Sequence, residues 1–223
     1  MPLRAVIFDL DQTLLDRTAS LGAFLKWQTD GMLKPDLESP PEFISRFVEL
    51  DNNGRVWKDV VYQRLIEEFA INGWKTEELL AVYESCFCAF SVPRIGVDQA
   101  IGELAGSYFL GLISNGKSPF QERNFRALGY SSSFDSIIVS EAVGLRKPDP
   151  EIFHLGCSEL NVDPKEAVFV GDSPVADISG AREAGLATIF VPTELNPSCE
   201  EADETCEDMS YLPAAIAKLG ELQ

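Results

Sequence analysis

The stretch Val6-Ile7-Phe8-Asp9-Leu10-Asp11-Gln12-Thr13 opens on three apolar residues and stops at a carboxylate. A short apolar, β-branched run without alternation reads as a strand buried on both faces. The same figure recurs along the chain. Phe109–Ile113 stops at Ser114, and Ile137–Val139, Ala167–Val170 and Thr188–Val191 complete a set of five. Helical stretches over Gln121–Leu128, Glu151–Leu160 and Val175–Ala184 separate the later runs. Such an alternation predicts an α/β fold, a Rossmann-like parallel sheet with helices on both faces. Ligands of such sheets sit beyond the carboxyl ends of the strands, which is where this chain gathers its polar residues.

About a hundred residues separate the first two strands, far more than a crossover helix needs. Within them Phe43, Ile44, Phe47 and Leu50 fall at helical spacing. So do Trp57, Val60, Val61, Leu65 and Phe69, and again Leu79, Tyr83, Cys86, Phe87 and Phe90. Ser39-Pro40-Pro41 and Asp51-Asn52-Asn53-Gly54 punctuate these stripes. The predicted organisation is a core of residues 1–15 and 96–223, interrupted by an all-helical cap of residues 16–95.

The 223 residues are 45% hydrophobic and 24% charged, an ordinary globular composition. A chain this long buries roughly 70% of its unfolded surface without staples. Lys and Arg number 18 against 36 Asp and Glu, a net charge of −18. That charge repels nucleic acid and anionic membranes. The longest uncharged run, Leu104–Gly116, is 13 residues, too short to span a bilayer. Asp9 and Asp11 stand where a signal peptide needs its apolar stretch. Five scattered cysteines and a single histidine, His154, argue against disulfide frameworks, zinc sites and Ser-His-Asp or Cys-His catalysis. The expected location is cytoplasmic. Residues 194–208, with seven acidic and no basic residues, read as a solvated acidic loop.

Four strand-end groups could carry chemistry. Asp9 and Asp11, two apart, either close the strand in an Asx-type turn or face one crevice together. Ser114-Asn115-Gly116 is either an ordinary turn or a phosphate cradle beside the next helix. Pro148 holds Lys147 out of helical geometry. Asp149-Pro150 then reads as an N-cap with proline at the first helical position, leaving Lys147 in the loop. Asp172 ends the fourth strand, with Asp177 five residues on.

In this order, with the long insert, these motifs resemble the haloacid dehalogenase superfamily, in its phosphatase branch with an inserted helical cap (subfamily I). The resemblance covers nearly all of residues 4–192. It implies that Asp9 is the nucleophile, forming an aspartyl-phosphate, and that Asp11 is the general acid and base. It implies Mg²⁺ held by Asp9, the backbone carbonyl of Asp11, Asp172 and Asp177. Thr13, Ser114, Asn115 and Lys147 would hold the phosphoryl group. Without a cation, a carboxylate about 4 Å from each unit of phosphate charge would cost about 4 kcal/mol at an effective dielectric of about 20. The partner implied is a small phosphorylated metabolite of nucleotide, sugar phosphate or phosphoglycolate type, and the state a monomer or homodimer.

Two positions depart from the family pattern. Gln12 stands where glycine is common, so its side chain is a candidate for the site entrance, and Ala176 stands where asparagine is common. Arg17, Phe24, Trp27 and Gln28, on the first cap helix, are further candidate substrate residues, the cap being expected to close over the crevice. The motifs leave a phosphomutase, a 2-haloacid dehalogenase and a non-catalytic binding protein as alternatives on the same fold. Asp11 favours phosphate chemistry over dehalogenation, because only a phosphate ester's leaving oxygen needs a proton. Ser114-Asn115-Gly116 with Gln121, together with residues 134–141, looks most like the nucleotidase and N-acylneuraminate-phosphatase side of the branch.

Overall fold

The computed structural model describes residues 2–34 and 37–222. The chain separates into two compact units, Thr18–Phe90 and the remainder, Met1–Arg17 with Ser91–Gln223.

The smaller unit is helical. It contains α1 (Arg17–Gln28, whose first residue belongs to the other unit), α2 (Pro40–Asp51), α3 (Lys58–Glu68) and α4 (Thr76–Cys86). Pro40 starts α2 where a missing N–H costs nothing, and Asn52 ends it in the left-handed region. Its apolar face, Phe43, Phe47 and Leu50, is buried. Phe47 meets Tyr62 edge-on at 5.4 Å, and Phe43 meets Phe69 at 5.4 Å. Phe24, Tyr83, Phe87 and Phe90 form a second aromatic knot with centroids 5.1–5.9 Å apart. Val60, counted in the predicted stripe, faces outward.

The larger unit holds a six-stranded parallel sheet in the order β3-β2-β1-β4-β5-β6. The strands are β1 (Ala5–Phe8), β2 (Phe109–Ser114), β3 (Ser136–Val139), β4 (Ala167–Gly171), β5 (Ala187–Phe190) and β6 (Glu204–Thr205). Around them lie α5 (Val97–Leu104), α6 (Phe120–Ala127), α7 (Ser140–Val143), α8 (Pro150–Glu159), α9 (Gly180–Glu183) and α10 (Leu212–Leu222). The central strands β1 and β4 are buried along their whole length, as their unbroken apolar runs require. The order reverses between β1 and β4, so the crevice at their carboxyl ends is the topological switch point.

Two expectations are corrected here. The acidic segment is not simply a solvated loop: it supplies β6, and Cys206 and Met209 beside it are buried. Asp203 anchors it, accepting from the Thr188 N–H and hydroxyl at 2.8 and 2.9 Å and pairing with Arg182 at 2.6 Å. Residues 91–95 also belong with the core rather than the insert. Asp16 N–H donates to Val92 C=O at 2.8 Å, and Arg94 N–H donates to Leu14 C=O at 2.9 Å. The core chain thus leaves and returns through one hydrogen-bonded neck. No helix among the described residues is long and apolar enough to cross a membrane.

Candidate active site

β1 delivers Asp9 to the switch point, where its N–H donates to Val170 C=O of β4 at 2.9 Å. The chain then turns sharply. Leu10 C=O accepts from the N–H groups of Thr13, Leu14 and Leu15 at 3.3, 3.0 and 2.9 Å. Gln12 sits inside this turn with φ of 63°, the left-handed region that explains the family's preference for glycine there. The Arg94 guanidinium braces the strained residue by donating to Gln12 C=O, and it reaches Pro192 C=O at 3.4 Å.

Lys147 lies under this turn, fully enclosed. Its Nζ stands 2.6 Å from Asp9 Oδ1 and 2.7 Å from Asp177 Oδ1, and 5.0 Å from the Phe169 ring centre. Asn115 fixes the backbone of Lys147. Its Nδ2 donates to Lys147 C=O at 2.9 Å, and Lys147 N–H donates to Asn115 Oδ1 at 3.0 Å. The Asn115 side chain thereby anchors the loop that carries the lysine. Asp149 caps α8 by accepting from Glu151 N–H at 3.0 Å, with Pro150 at the first helical position.

β4 ends at Gly171, where a Cβ would lie 2.5 Å from the Asp177 carboxyl carbon, so only glycine lets Asp177 fold back against the strand. Asp177 Oδ2 accepts from Ser173 N–H at 2.9 Å. The Ala176 N–H is taken by Ser173 Oγ at 3.1 Å, opening a π-helical turn over Pro174–Ser179. Asn196 Nδ2 donates to Asp172 C=O at 3.1 Å, so the acidic segment also steadies this strand end.

Asp9, Asp172 and Asp177 each offer a carboxylate oxygen within 4.8 Å of the others. Burial pushes the Asp9 carboxyl up to about 7, with Asp177 and Asp11 adding and Lys147 opposing. Burial, then Asp9 and Asp177, pushes Asp172 up to about 8. Burial disfavours the Lys147 charge, but Asp177 and Asp9 outweigh it and hold the ammonium well above its usual range. Three carboxylates thus share one ammonium. Hard oxygen donors with unanswered negative charge suit Mg²⁺, so the residues present fit that ion.

Ser114 and Thr13 are buried beside these groups in the same strand-end loops. The buried Thr13 hydroxyl has no hydrogen-bond partner among the described residues. Asp11 is half-buried and accepts from Gln121 Nε2 at 2.6 Å. Of the candidates on α1, Arg17 is half-buried and Trp27 is 39% exposed. Phe24 is enclosed among Tyr83, Phe87 and Phe90, and Gln28 is buried, accepting from Tyr62 OH at 3.0 Å. Both pack within the helical unit. Sequence reasoning gave no role to Gln121, Arg94, Asn124 or Asn196. Nothing in a single sequence separates these polar residues from ordinary surface ones.

Residues 6–191 match the family described as haloacid dehalogenase-like hydrolase, and the chain belongs to that family. It is 28% identical over 211 residues to the N-acetylmuramic acid 6-phosphate phosphatase of Pseudomonas aeruginosa, covering 91% of this chain and 90% of that protein. It is 28% identical over 208 residues to human (Homo sapiens) N-acylneuraminate-9-phosphatase, covering 85% and 82%. Among solved structures, the magnesium-bound HAD-hydrolase YfnB of Bacillus subtilis superposes with a TM-score of 0.78 at 21% identity, over 97% of this chain and 100% of that one, a likeness of fold.

Proposed function

We propose that this chain is a phosphatase that hydrolyses the phosphate monoester of a small metabolite, using Mg²⁺ and a phosphoryl-Asp9 intermediate. The observation that carries this reading is Lys147 bridging Asp9 and Asp177 at 2.6 and 2.7 Å, with Asp172 in the same carboxylate set. The phosphatase names of both relatives support it. The five free cysteines fit a reducing cytoplasm.

The chain's own residues then act as follows. Lys147 fixes the Asp9 carboxylate, and an Asp9 oxygen attacks phosphorus. The bond from phosphorus to the ester oxygen breaks, and Asp11 gives that oxygen its proton. Asp11, now a carboxylate, takes a proton from water. The water oxygen attacks phosphorus, the bond to Asp9 breaks, and phosphate leaves. Thr13 and Ser114 hydroxyls hold the equatorial oxygens. Asp177 keeps Lys147 charged and aligned. Asp9, the Asp11 backbone carbonyl, Asp172 and Asp177 would hold Mg²⁺, which would supply neutralising charge to the transferring group. In this reading the helical unit selects the substrate, with Arg17 and Trp27 as candidate residues on α1.

A panel of phosphate monoesters, including alkyl esters and para-nitrophenyl phosphate, tests the reading by phosphate release with Mg²⁺. Release is expected with Mg²⁺ and should stop with chelator. Release that persists in metal-free protein, or none from any ester, overturns it.

A further inference from the structure

Gln121, in the first turn of α6, is buried and bonded at both ends of its amide. Its Nε2 donates to Asp11 Oδ2 at 2.6 Å and to Ser114 Oγ at 3.1 Å. Its Oε1 accepts from Asn124 Nδ2 at 3.2 Å, and Asn124 is itself buried. The amide presents its NH₂ to Asp11 and Ser114, and Asn124 satisfies its carbonyl. Space is reserved for the same arm. A Cβ at Gly116 would lie 2.7 Å from Gln121 Cγ and 3.1 Å from Nε2.

We infer that Gln121 is a positioning residue for the proton-transfer steps, tying Asp11 to the Ser114 hydroxyl so that the proton donor keeps a fixed place relative to the transferring phosphoryl group. This rests on the reading of Asp11 as acid and base. Asp11 rotates about two side-chain bonds and is half-buried, so without a tether it samples orientations that miss the ester oxygen. Misplacement by about 1 Å costs up to about 100-fold in rate. The cost falls where a proton is needed. An alkoxide leaves only with help, whereas nitrophenolate leaves without it. Gly116 is the spacer that admits the tether, and Asn124 sets which way the amide faces.

The test compares the fastest alkyl ester of the panel with the pre-steady-state burst of para-nitrophenyl phosphate. Gln121→Met, Gln121→Glu and Gly116→Ala are measured beside Asp11→Asn and the double variant Asp11→Asn/Gln121→Met. Gln121→Met should lower kcat on the alkyl ester by about 10- to 100-fold with little change in KM. The nitrophenol burst should slow far less. Gln121→Glu and Gly116→Ala should show the same selectivity, which covers the case that one variant folds poorly. In the double variant the two losses should overlap instead of multiplying. Equal losses on both esters, or losses that multiply, overturn the inference and leave Gln121 a packing residue. If Asp11→Asn itself spares alkyl turnover, the acid and base reading falls and the inference with it. A selective loss in Asp11→Asn without one in the Gln121 variants removes the inference alone.

Discussion

Each unit of this protein buries one lysine against aspartate, and the two arrangements serve different ends. In the helical unit Lys58 pairs with Asp51, both almost fully enclosed. Asp51 Oδ2 also accepts from Gly54 N–H at 2.8 Å, and the Lys58 ammonium lies 5.6 and 5.5 Å from the Trp57 and Tyr83 ring centres. The pair clamps the α2–α3 turn. In the core, Lys147 is shared by Asp9 and Asp177, with Asp172 close behind. There three carboxylates lie around one ammonium, a set that suits a cation. A cluster of carboxylates, more than the burial of a pair, marks a candidate reaction centre.

The comparison can be broken by neutralising one aspartate in each place. Asp9→Asn should drop phosphate release below detection, because an amide does not attack phosphorus. The metal-free protein should meanwhile hold or gain stability at alkaline pH, since one of the surplus buried carboxylates is gone. Activity assays and urea unfolding on one preparation check both halves, and a stability loss in metal-free Asp9→Asn would put the core on the same footing as the clamp.

Asp51→Asn should do the reverse. It removes a buried counter-charge of Lys58 and should cost about 3–5 kcal/mol by urea unfolding. A loss under about 1 kcal/mol would make the pair no better than a surface one.

A smaller effect sharpens the contrast through pH. Asp9 and Asp172 bind protons more tightly folded, at about 7 and about 8, than the ordinary carboxyl near about 4. The folded metal-free protein therefore carries the extra protons, and its stability should fall as pH rises from about 4 through about 8, then level off. Mg²⁺ should flatten that slope. Urea melts across this range with and without the ion decide it, and a slope that Mg²⁺ leaves unchanged would remove these carboxylates as its cause.

The smallest expected effect concerns the turns beside each lysine site. Gln12 holds a left-handed φ of 63° and Asn52 one of 46°. The left-handed conformation costs a side chain about 1–2 kcal/mol, partly offset by the 0.5–1 kcal/mol that glycine loses in entropy, so Gln12→Gly should stabilise by up to about 1 kcal/mol. Asn52→Gly should be nearly neutral, asparagine tolerating that region. Thermal unfolding of the two variants compares them, and destabilisation by Gln12→Gly would show that its side chain outweighs the strain.

The sheet was legible because β1, β2, β3, β4 and β5 are apolar runs that stop at polar residues. β6 was not, being two residues long and embedded in acidic sequence whose charge suggested solvent. Asp9, Lys147, Asp172 and Asp177 were legible as strand-end groups in a fixed order. Sequence placed Asn115 at the strand end but could not show that its amide bonds to the Lys147 backbone. Gln121 and Asn196 act across long sequence separations on Asp11 and Asp172. Lys58, at the start of a helix, had every mark of a solvated residue until packing enclosed it.

The hydrogen-bonded neck between Leu14–Asp16 and Val92–Arg94 has an architectural consequence. Its two strands meet within the core, so the sheet does not depend on what is threaded between them. Residues 18–90 are in that sense an exchangeable cassette: chain can be lengthened, shortened or grafted there while the sequence order of Asp9, Ser114, Lys147 and Asp172 along the core is preserved. Variation in what the molecule chooses can accumulate in one continuous coding segment, leaving the groups that do the chemistry under separate constraint.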